Sequence, residues 1–508
     1  MVAAHRVAPG GARWRRDMER TSGFGHLIGS RKGALAVVVA SALAAVAVGA
    51  GSVSAAKIGF GTVLQTNLVS DLPGVATILD PNLVNPWGIS ESSGSPFWVS
   101  DNNAGVATLY MTASKVGLVV SIPTPPDATG GGTPTGTVFN IAGAGTFPVA
   151  GVDHNNVQTA AKSIFLFATE DGTIAGWNPG VNPRGFDPAK AGTYAIIAVD
   201  NSGNNFTNPD PNQETGAVYK GMAIATSNTP IIASDANSTA LVYESNFRAG
   251  SVDVFDTQFS KVTALPSGAF TDPGLPDGYA PFNIQVLNGK VYISFALQND
   301  TRHDDVAGKH HGFVDVFNLD GTPGLPDGQV RLISRGVLDS PWGLAIAPTG
   351  FAGLSAGTDP MLLVGNFGDG FIHAFDAATG DLVGQLMDPD GEPIQIDGLW
   401  ALKVGNGGNG GLTNTVYFTA GLFGETHGLF GSLATVASGS PEGPAEARWV
   451  QANLDIVQVD QDLLAKDIES GAPEATIDRD QRTLEADSHA LAGVQRAFAD
   501  DSSDDAGG

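Results

Sequence analysis

The densest group of side chains able to bind a metal lies in one short segment, from His303 to His311. Three of the nine histidines of the chain fall there, next to Asp304 and Asp305. Imidazole and carboxylate groups are the usual ligands of zinc and other first-row divalent cations. The segment is therefore a candidate metal-binding loop, and a flexible, solvated loop is the alternative.

A second group is spread along the chain, because carboxylates, amides and tryptophans recur in the turns before and after short apolar strands. If those turns emerge on one face, they form a ligand-binding face. We expect it to include Asn85, Trp87, Asp101, Asn103, Asn156, Glu170, Asp235, Asn283, Asp300, Trp342, Asn366, Asp369, Asp397 and Trp400. The same rule adds Asn102, Asn155, Asp171, Lys220, Asn237, Gln298, Asn299 and Glu425.

Such a ring could bind two kinds of ligand. Converging oxygen atoms suit calcium or magnesium, which are hard cations, and tryptophans beside them could stack on a sugar or an aromatic ligand. The alternative is structural: Asp and Asn cap turns and tolerate left-handed backbone. Trp87 and Trp342, which each follow a proline, could equally pack between neighbouring repeats.

The elements that position these residues come from an internal repeat. Six copies of a turn, strand, polar corner and strand pattern begin near residues 85, 155, 219, 280, 340 and 397. A single small sheet cannot bury both of its faces, but a closed ring of such sheets can. We therefore predict an all-β, six-bladed β-propeller over residues 57–435, with a solenoid or a pair of β-sandwiches as alternatives. The strand Thr62–Ser70 precedes the first copy and is expected to complete the last blade.

Three long segments rich in turn-forming or polar residues are expected to be surface loops. They run over Pro123–Pro134, Asn201–Glu214 and Asp300–His311. Loops of this kind carry binding residues on a rigid scaffold.

The two ends of the chain differ from the repeats. Arg31 and Lys32 precede an apolar run, Ala34–Val48, and the small residues Ser52–Ala56. This pattern predicts that residues 1–56 are an extended N-terminus and a signal peptide, with Met18 as an alternative start and an uncleaved membrane anchor as the alternative role. Export would place the protein outside the cell, on its surface or in the periplasm. The acidic residues 436–508 are expected to be a largely disordered tail, with a partner-binding segment as the alternative.

Composition excludes several classes of function. The chain of 508 residues has a formal net charge of −26, which argues against a nucleic-acid partner. It contains no cysteine, so disulfides, cysteine-ligated zinc and cysteine nucleophiles are excluded. The chain also lacks the His-Glu-x-x-His motif of zinc proteases and the Gly-x-x-x-x-Gly-Lys-Ser/Thr phosphate loop.

The sequence motifs of the repeats resemble those of known propellers. The Pro-x-Gly strand, the Asp corner and the strand ending in Phe resemble NHL-repeat proteins and the regucalcin/gluconolactonase group. The chain resembles a family of uncharacterised, exported bacterial propellers more closely than it resembles those two groups. The segments that carry this resemblance are Asn67–Asp71, Asp80–Gly88 and Phe418–Gly421. That resemblance covers residues 62–433 and implies the fold, without an established reaction.

Similarity to gluconolactonase-like enzymes implies one specific metal site. In them a calcium held by one Glu, two Asn and one Asp polarises a carbonyl and activates water. Glu170, Asn156, Asn283 and Asp300 are the candidates here, and His303 and Asp304 are further metal candidates. The cofactor would be Ca²⁺ or another divalent cation.

Two main hypotheses on function result. The first is a monomeric, exported propeller that binds a small molecule, a glycan or a protein through its channel-face loops, with or without a divalent cation. The second is a metal-dependent hydrolase of the lactonase or esterase type. A structural role at the cell surface is a third alternative.

Overall fold

A computed structural model describes residues 62–126, 128–203, 211–353 and 360–436. The predicted signal segment and all of the predicted acidic tail except Val436 lie outside these residues. Within the described ranges, no helix has the length and apolar character needed to cross a membrane.

The described chain is built almost entirely of short strands. In chain order they are β1 (Val63–Ser70), β2 (Ile78–Leu79), β3 (Pro86–Ser90), β4 (Phe97–Asp101), β5 (Val106–Met111), β6 (Ser114–Ser121), β7 (Pro134–Phe139), β8 (Pro148–Val152) and β9 (Gln158–Lys162). They continue with β10 (Phe165–Thr169), β11 (Thr173–Trp177), β12 (Ala195–Asp200), β13 (Tyr219–Thr226), β14 (Ala240–Asn246), β15 (Ser251–Phe255), β16 (Tyr279–Leu287), β17 (Lys290–Leu297) and β18 (Phe313–Phe317). The last are β19 (Arg331–Ser334), β20 (Pro341–Ile346), β21 (Met361–Asn366), β22 (Ile372–Asp376), β23 (Leu382–Gln385), β24 (Leu399–Val404), β25 (Thr415–Ala420) and β26 (Leu429–Thr435).

Among the residues that the structure describes, helical structure is confined to single turns. Four 3₁₀ turns cover Pro188–Lys190, Pro211–Gln213, Pro326–Gly328 and Phe351–Gly353. One short helical turn covers Leu422–Glu425.

Twenty-four of these strands form six blades, which are antiparallel except for the parallel pair β1–β2, and β8 and β9 form a separate hairpin. From the inner to the outer strand the blades are β3-β4-β5-β6, β7-β10-β11-β12, β13-β14-β15, β16-β17-β18-β19, β20-β21-β22-β23 and β24-β25-β26-β1-β2. The inner strands contact one another in the order β3, β7, β13, β16, β20, β24 and back to β3. The predicted six-bladed propeller is therefore confirmed.

The ring is closed by a strand from the start of the described chain. β1 pairs antiparallel with β26, from Val63 opposite Thr435 to Ser70 opposite Leu429. The sixth blade thus combines strands from both ends of the repeat region, as the sequence predicts. This pairing ties the start and the end of the repeat region together within one blade.

Apolar side chains from neighbouring blades fill the wedges between them. Between the third and fourth blades, for example, Tyr243 packs in one buried cluster with Ile293 and Phe317. Full burial of such a side chain stabilises the fold by about 1.5–3 kcal/mol.

The second blade begins earlier than predicted. Its inner strand is β7, which starts at Pro134, whereas Asn156 lies at the tip of the β8–β9 hairpin beside the outer strands of the blade. Strand β7 is not predicted from the sequence because it contains Gly136, a residue type common in loops. A Cβ at that position would lie 2.3 Å from the backbone nitrogen of Met222 in the next blade. Close packing therefore selects a glycine, and the segment reads as a loop in the sequence.

The third blade also differs from the prediction. The apolar segment around Ile231 is a loop, and the second strand is β14, which contains the polar residues Glu244 and Asn246. Asp235 consequently lies in the connection between β13 and β14. In antiparallel blades that connection emerges on the face opposite the corners that follow second strands, so Asp235 is not part of the predicted face.

Candidate functional site at the channel mouth

Three tryptophans close the central channel. Trp87, Trp342 and Trp400 are the second residues of their inner strands and are each 2% exposed or less. The rings of Trp87 and Trp400 stack with centroids 3.5 Å apart. Trp342 packs edge-on against them at 6.0 and 5.7 Å. These rings pack on each other as a plug, so in this structure they offer no free surface for stacking on a ligand.

The plug is covered on one side by an aromatic ring and polar contacts. Phe367, which follows β21, is half-buried and stacks on Trp400 at 4.0 Å. The Trp400 indole donates to Asn85 Oδ1 at 3.0 Å, and the Trp342 indole donates to the Lys220 carbonyl at 3.2 Å. Above the plug lies the channel mouth, which we define by the side chains of Asn85, Asn102, Glu170, Lys220, Asp304 and Glu425.

A buried lysine lies at the centre of the channel mouth. Lys220 is the second residue of β13, the position that tryptophan occupies in three other blades, and its side chain is 3% exposed. Its ammonium pairs with Glu170 Oε1 and lies 3.5 Å from Asp304 Oδ1. It also lies 5.1 Å from the Trp87 ring centroid, a favourable distance for a cation–π contact.

This lysine remains protonated despite its burial. Burial by itself lowers the pKa of a lysine, because the charged form loses its hydration. At Lys220 the carboxylates of Glu170 and Asp304 outweigh burial and raise the pKa above its ordinary value. The channel mouth therefore has a negative potential strong enough to keep a buried ammonium charged.

Glu170 and its neighbour are held by the corner that follows β10. The Asn102 amide donates to Glu170 Oε2 at 2.8 Å, so both carboxylate oxygens of Glu170 have partners. The backbone N–H of Thr133 donates to Asp171 Oδ2 at 3.0 Å. Burial raises the pKa of Asp171 to about 6, which leaves it partly protonated in mildly acidic solution.

Glu425 reaches the channel mouth from a strained turn. Phe423 and Glu425 have φ angles of 53° and 69°, in the left-handed region that is unfavourable for both residue types. The Asn85 amide donates to Glu425 Oε2 at 2.9 Å, and Asn103 donates to the Glu425 carbonyl at 2.6 Å. Burial, and then the negative charge of Glu170, raise the pKa of Glu425 to about 7.

Three of the predicted metal candidates meet here. One ligand atom from each of Glu170, His303 and Asp304 lies within 4.8 Å of the others. His303 Nδ1 is 2.8 Å from Asp304 Oδ1. Burial opposes ionisation of Asp304, but His303 and the Lys220 charge outweigh it and lower the pKa of Asp304. The Lys220 ammonium contacts both carboxylates, so a metal ion would have to displace it.

The calcium set implied by the lactonase resemblance is not assembled. Asn283 lies inside β16 and is 1% exposed; its amide donates to the Trp342 carbonyl at 2.6 Å, and its oxygen accepts from the Ile284 N–H at 2.8 Å. Asn156 lies on the outer hairpin, and Asp300 is exposed. Only Glu170 of those four is in the channel mouth, so these residues do not fit that calcium.

Two other predicted face residues, Asp101 and Asn366, stabilise the blades themselves. Asp101 is fully buried and accepts from the Thr108 hydroxyl at 2.7 Å, and burial raises its pKa well above the usual range. Asn366 is also fully buried and donates to the Val337 carbonyl at 2.8 Å. These two polar groups are parts of blades rather than a surface for ligands.

Two predicted carboxylates remain close to solvent. Asp369 is half-buried and accepts from the Phe371 N–H at 3.1 Å, and burial raises its pKa to about 6. Asp397 is exposed and accepts from the Phe423 N–H at 2.8 Å. Asp397 therefore helps to hold the strained turn that carries Glu425.

Lys220 and Glu425 are in the second, wider list of residues that the sequence places on the channel face, and not in the first list. A signal for Lys220 is present in the sequence, since it is the single charged residue of the otherwise apolar strand Tyr219–Thr226. Glu425 has no comparable local signal. Its importance depends on contacts with residues of the first two blades.

These features define a six-bladed β-propeller with a plugged channel and an acidic mouth around a buried lysine. The chain is 30% identical over 375 residues to the uncharacterized protein L690 of Acanthamoeba polyphaga mimivirus. The matched region covers 72% of this chain and 84% of that protein. It belongs to the same family as that viral protein. The uncharacterized protein R648 of the same virus is 29% identical over 373 residues, covering 72% of this chain and 78% of the relative. No family model matches the chain.

Solved structures with related architecture are distant in sequence. Virginiamycin B lyase from Staphylococcus aureus is 11% identical, with a TM-score of 0.36, and the match covers 74% of this chain and 99% of the lyase. The GH93 α-L-arabinofuranosidase of Fusarium graminearum is 10% identical, with a TM-score of 0.40, covering 73% and 98%. Likenesses at this level say nothing about the ligand or reaction of this chain. The bacterial and exported character of the family stays a prediction.

Proposed function

We propose that this protein is a ligand-binding propeller whose channel mouth takes up a cationic ligand. The observation that carries the proposal is Lys220, which is buried and yet held in its charged form by Glu170 and Asp304. A site that stabilises an ammonium of its own has the field needed to bind another cation. The ligand is a small molecule or the cationic group of a glycan or protein partner.

The charge balance of the channel mouth supports this proposal. Three carboxylates, from Glu170, Asp304 and Glu425, face one lysine. The pKa of Glu425 is raised to about 7, so the mouth takes up a proton near neutral pH. A cationic ligand would compete with that proton. The net charge of −26 adds long-range attraction for cations.

The floor of the channel mouth also suits an organic cation. Asn85 bonds to both Trp400 and Glu425, which places the carboxylate beside the aromatic stack of Trp400 and Phe367. Of these two rings only the half-buried Phe367 keeps exposed surface, and an aromatic face next to a carboxylate recognises alkylammonium groups through cation–π and charge interactions. Action outside the cytoplasm, which the N-terminal segment predicts, is part of this proposal.

The test is calorimetric titration of the full chain with tetramethylammonium, spermidine and an uncharged sugar. We expect binding of the cations and at least about tenfold weaker binding by Glu425→Gln, since that variant removes a charge of the site. Asp327→Asn is the matched control, because Asp327 is exposed in the connection between β18 and β19, on the other face. Equal affinities of the wild type, Glu425→Gln and Asp327→Asn for the cations would overturn the proposal. Binding of the sugar without binding of either cation would also overturn it.

A divalent cation at Glu170, His303 and Asp304 is the second candidate, because their ligand atoms converge within 4.8 Å. It would keep the hydrolase alternative open with a ligand set other than the one the resemblance implies. Elemental analysis of protein purified without chelator, and thermal unfolding with and without EDTA, test it. We expect His303→Asn to lose the metal and His310→Asn, an exposed position on the same loop, to keep it. A metal-free protein with an unfolding temperature insensitive to EDTA would exclude this candidate.

A further inference from the structure

A second unusual group of acidic residues lies away from the channel mouth, in the third blade. Glu244 of β14 is fully buried, and neither of its carboxylate oxygens has a hydrogen-bond partner among the described residues. A buried carboxylate without a partner is strongly unfavourable unless something neutralises it. Glu244 therefore requires a compensating group that the side chains around it do not supply.

Asp253 lies directly opposite Glu244. The two residues are cross-strand partners in β14 and β15, so their side chains leave the sheet on the same face. Asp253 is 5% exposed; its Oδ2 accepts from the Tyr219 hydroxyl at 3.0 Å and from the Asn246 amide at 3.1 Å. Two carboxylates thus face one buried region that is lined by further oxygen-bearing side chains.

The positive charge nearby is insufficient to neutralise both Glu244 and Asp253. Lys261 pairs with Asp253 Oδ1 at 2.7 Å, but its side chain is 54% exposed, and in the part of the chain that the structure describes its ammonium forms no ion pair with Glu244. Burial, and then the charge of Asp253, raise the pKa of Glu244 well above its usual range. A proton on Glu244 would remove the charge but would create a buried O–H donor without an acceptor. A bound cation would satisfy both oxygens.

We propose that Glu244 and Asp253 bind a calcium ion at the interface between the second and third blades. Carboxylate, amide and hydroxyl oxygens are the ligands that calcium prefers. The face that carries Glu244 also carries Met222 and Val242, which pack in one cluster with Leu166 and Ala168 of the second blade. The ion would join β14 to β15 and brace this blade interface, independently of any ligand at the channel mouth.

Two measurements test the calcium site on the full chain purified without chelator. Elemental analysis should find one calcium per chain, and a calcium chelator should lower the unfolding temperature. After the calcium is exchanged for terbium, tyrosine excitation should give sensitised terbium luminescence, because Tyr219 bonds to Asp253. Tyr219→Phe should bind calcium but lose most of that luminescence.

The decisive variant is Glu244→Gln, which keeps the shape of the side chain. It should lose the calcium and the effect of the chelator. Asp101→Asn is the matched control: Asp101 is another fully buried acid with one unpaired oxygen, in the first blade, and its variant should keep the calcium. Calcium-free wild-type protein without terbium luminescence, or full calcium content in Glu244→Gln, would overturn the proposal. Titration of the same variant with tetramethylammonium should be unchanged, so failure here is distinguishable from failure at the channel mouth.

Discussion

The amide nitrogen of Asn85 donates a hydrogen bond to Glu425 Oε2 at 2.9 Å, although the two residues are 340 positions apart in the chain. Asn85 precedes the first inner strand, β3, and Glu425 precedes β26, the third strand of the sixth blade. The same amide accepts from the Trp400 indole at 3.0 Å. One side chain thus joins the first blade to the sixth and the aromatic plug to the acidic mouth.

Replacing Asn85 should weaken ring closure. Asn85→Ala leaves the buried indole N–H of Trp400 without an acceptor, which costs about 1–3 kcal/mol. Alanine is also less favourable than asparagine at the φ of 50° found there. Urea unfolding should show this loss. Asn414→Ala, in the exposed loop between β24 and β25, should change the free energy of unfolding by no more than about 0.5 kcal/mol.

Stability should depend on the protonation of Glu425. Its pKa is raised from 4.5 to about 7, so the folded state binds a proton more tightly than the unfolded state does. The resulting stabilisation is fully present below pH 4.5 and is lost as the pH rises through about 7. We expect the unfolding temperature of the wild type to fall relative to that of Glu425→Gln across this range. Parallel pH profiles for the two proteins would contradict the prediction.

Removing the buried ammonium should be costly. Lys220→Met leaves Glu170 and Asp304 facing each other without a cation, and loss of one partner from a buried pair costs about 3–5 kcal/mol. Adding Glu170→Gln to that variant should recover part of the loss, because the uncompensated charge is removed. Denaturant unfolding of the two single variants and the double variant measures the coupling. Additive effects would show that the pair does not interact as the structure indicates.

Packing between the second and third blades should depend on Gly136. In Gly136→Ala the new methyl would lie 2.3 Å from the backbone nitrogen of Met222, so backbone must shift. Overpacking of this kind costs about 1–3 kcal/mol. Gly117→Ala is the control, because a Cβ at Gly117 meets nothing within 4 Å. Thermal unfolding should separate the two variants, and equal unfolding temperatures would contradict the expected blade contact.

Much of the architecture can be read from local pattern. The repeats that start with Pro86-Trp87 and Pro341-Trp342 are recognisable because each inner strand is short, apolar and preceded by a turn. Residues 62–70 could be assigned to the last blade because a ring must pair its remaining edge. Both inferences use information carried by a few neighbouring residues or by the need for closure.

The positions of strands in the second and third blades were predicted wrongly, for two different reasons. Strand β7 contains Gly136, which is selected by the backbone of the next blade, so it reads as a loop. Strand β14 contains Glu244, whose burial is not apparent from its neighbours in the chain. The placements of Asn156 and Asp235 failed with these strands, because each depended on the position of a blade in the repeat.

The sequence by itself determined the class of fold, the number of blades and the strand that closes the ring, since periodicity and hydrophobic pattern are local properties. Only the tertiary structure decided which polar residues meet. Glu170, Lys220 and Asp304 come from three successive blades, and their ion pairs arise from the ring geometry. The charge states follow for the same reason: a pKa depends on burial and on charges nearby in space.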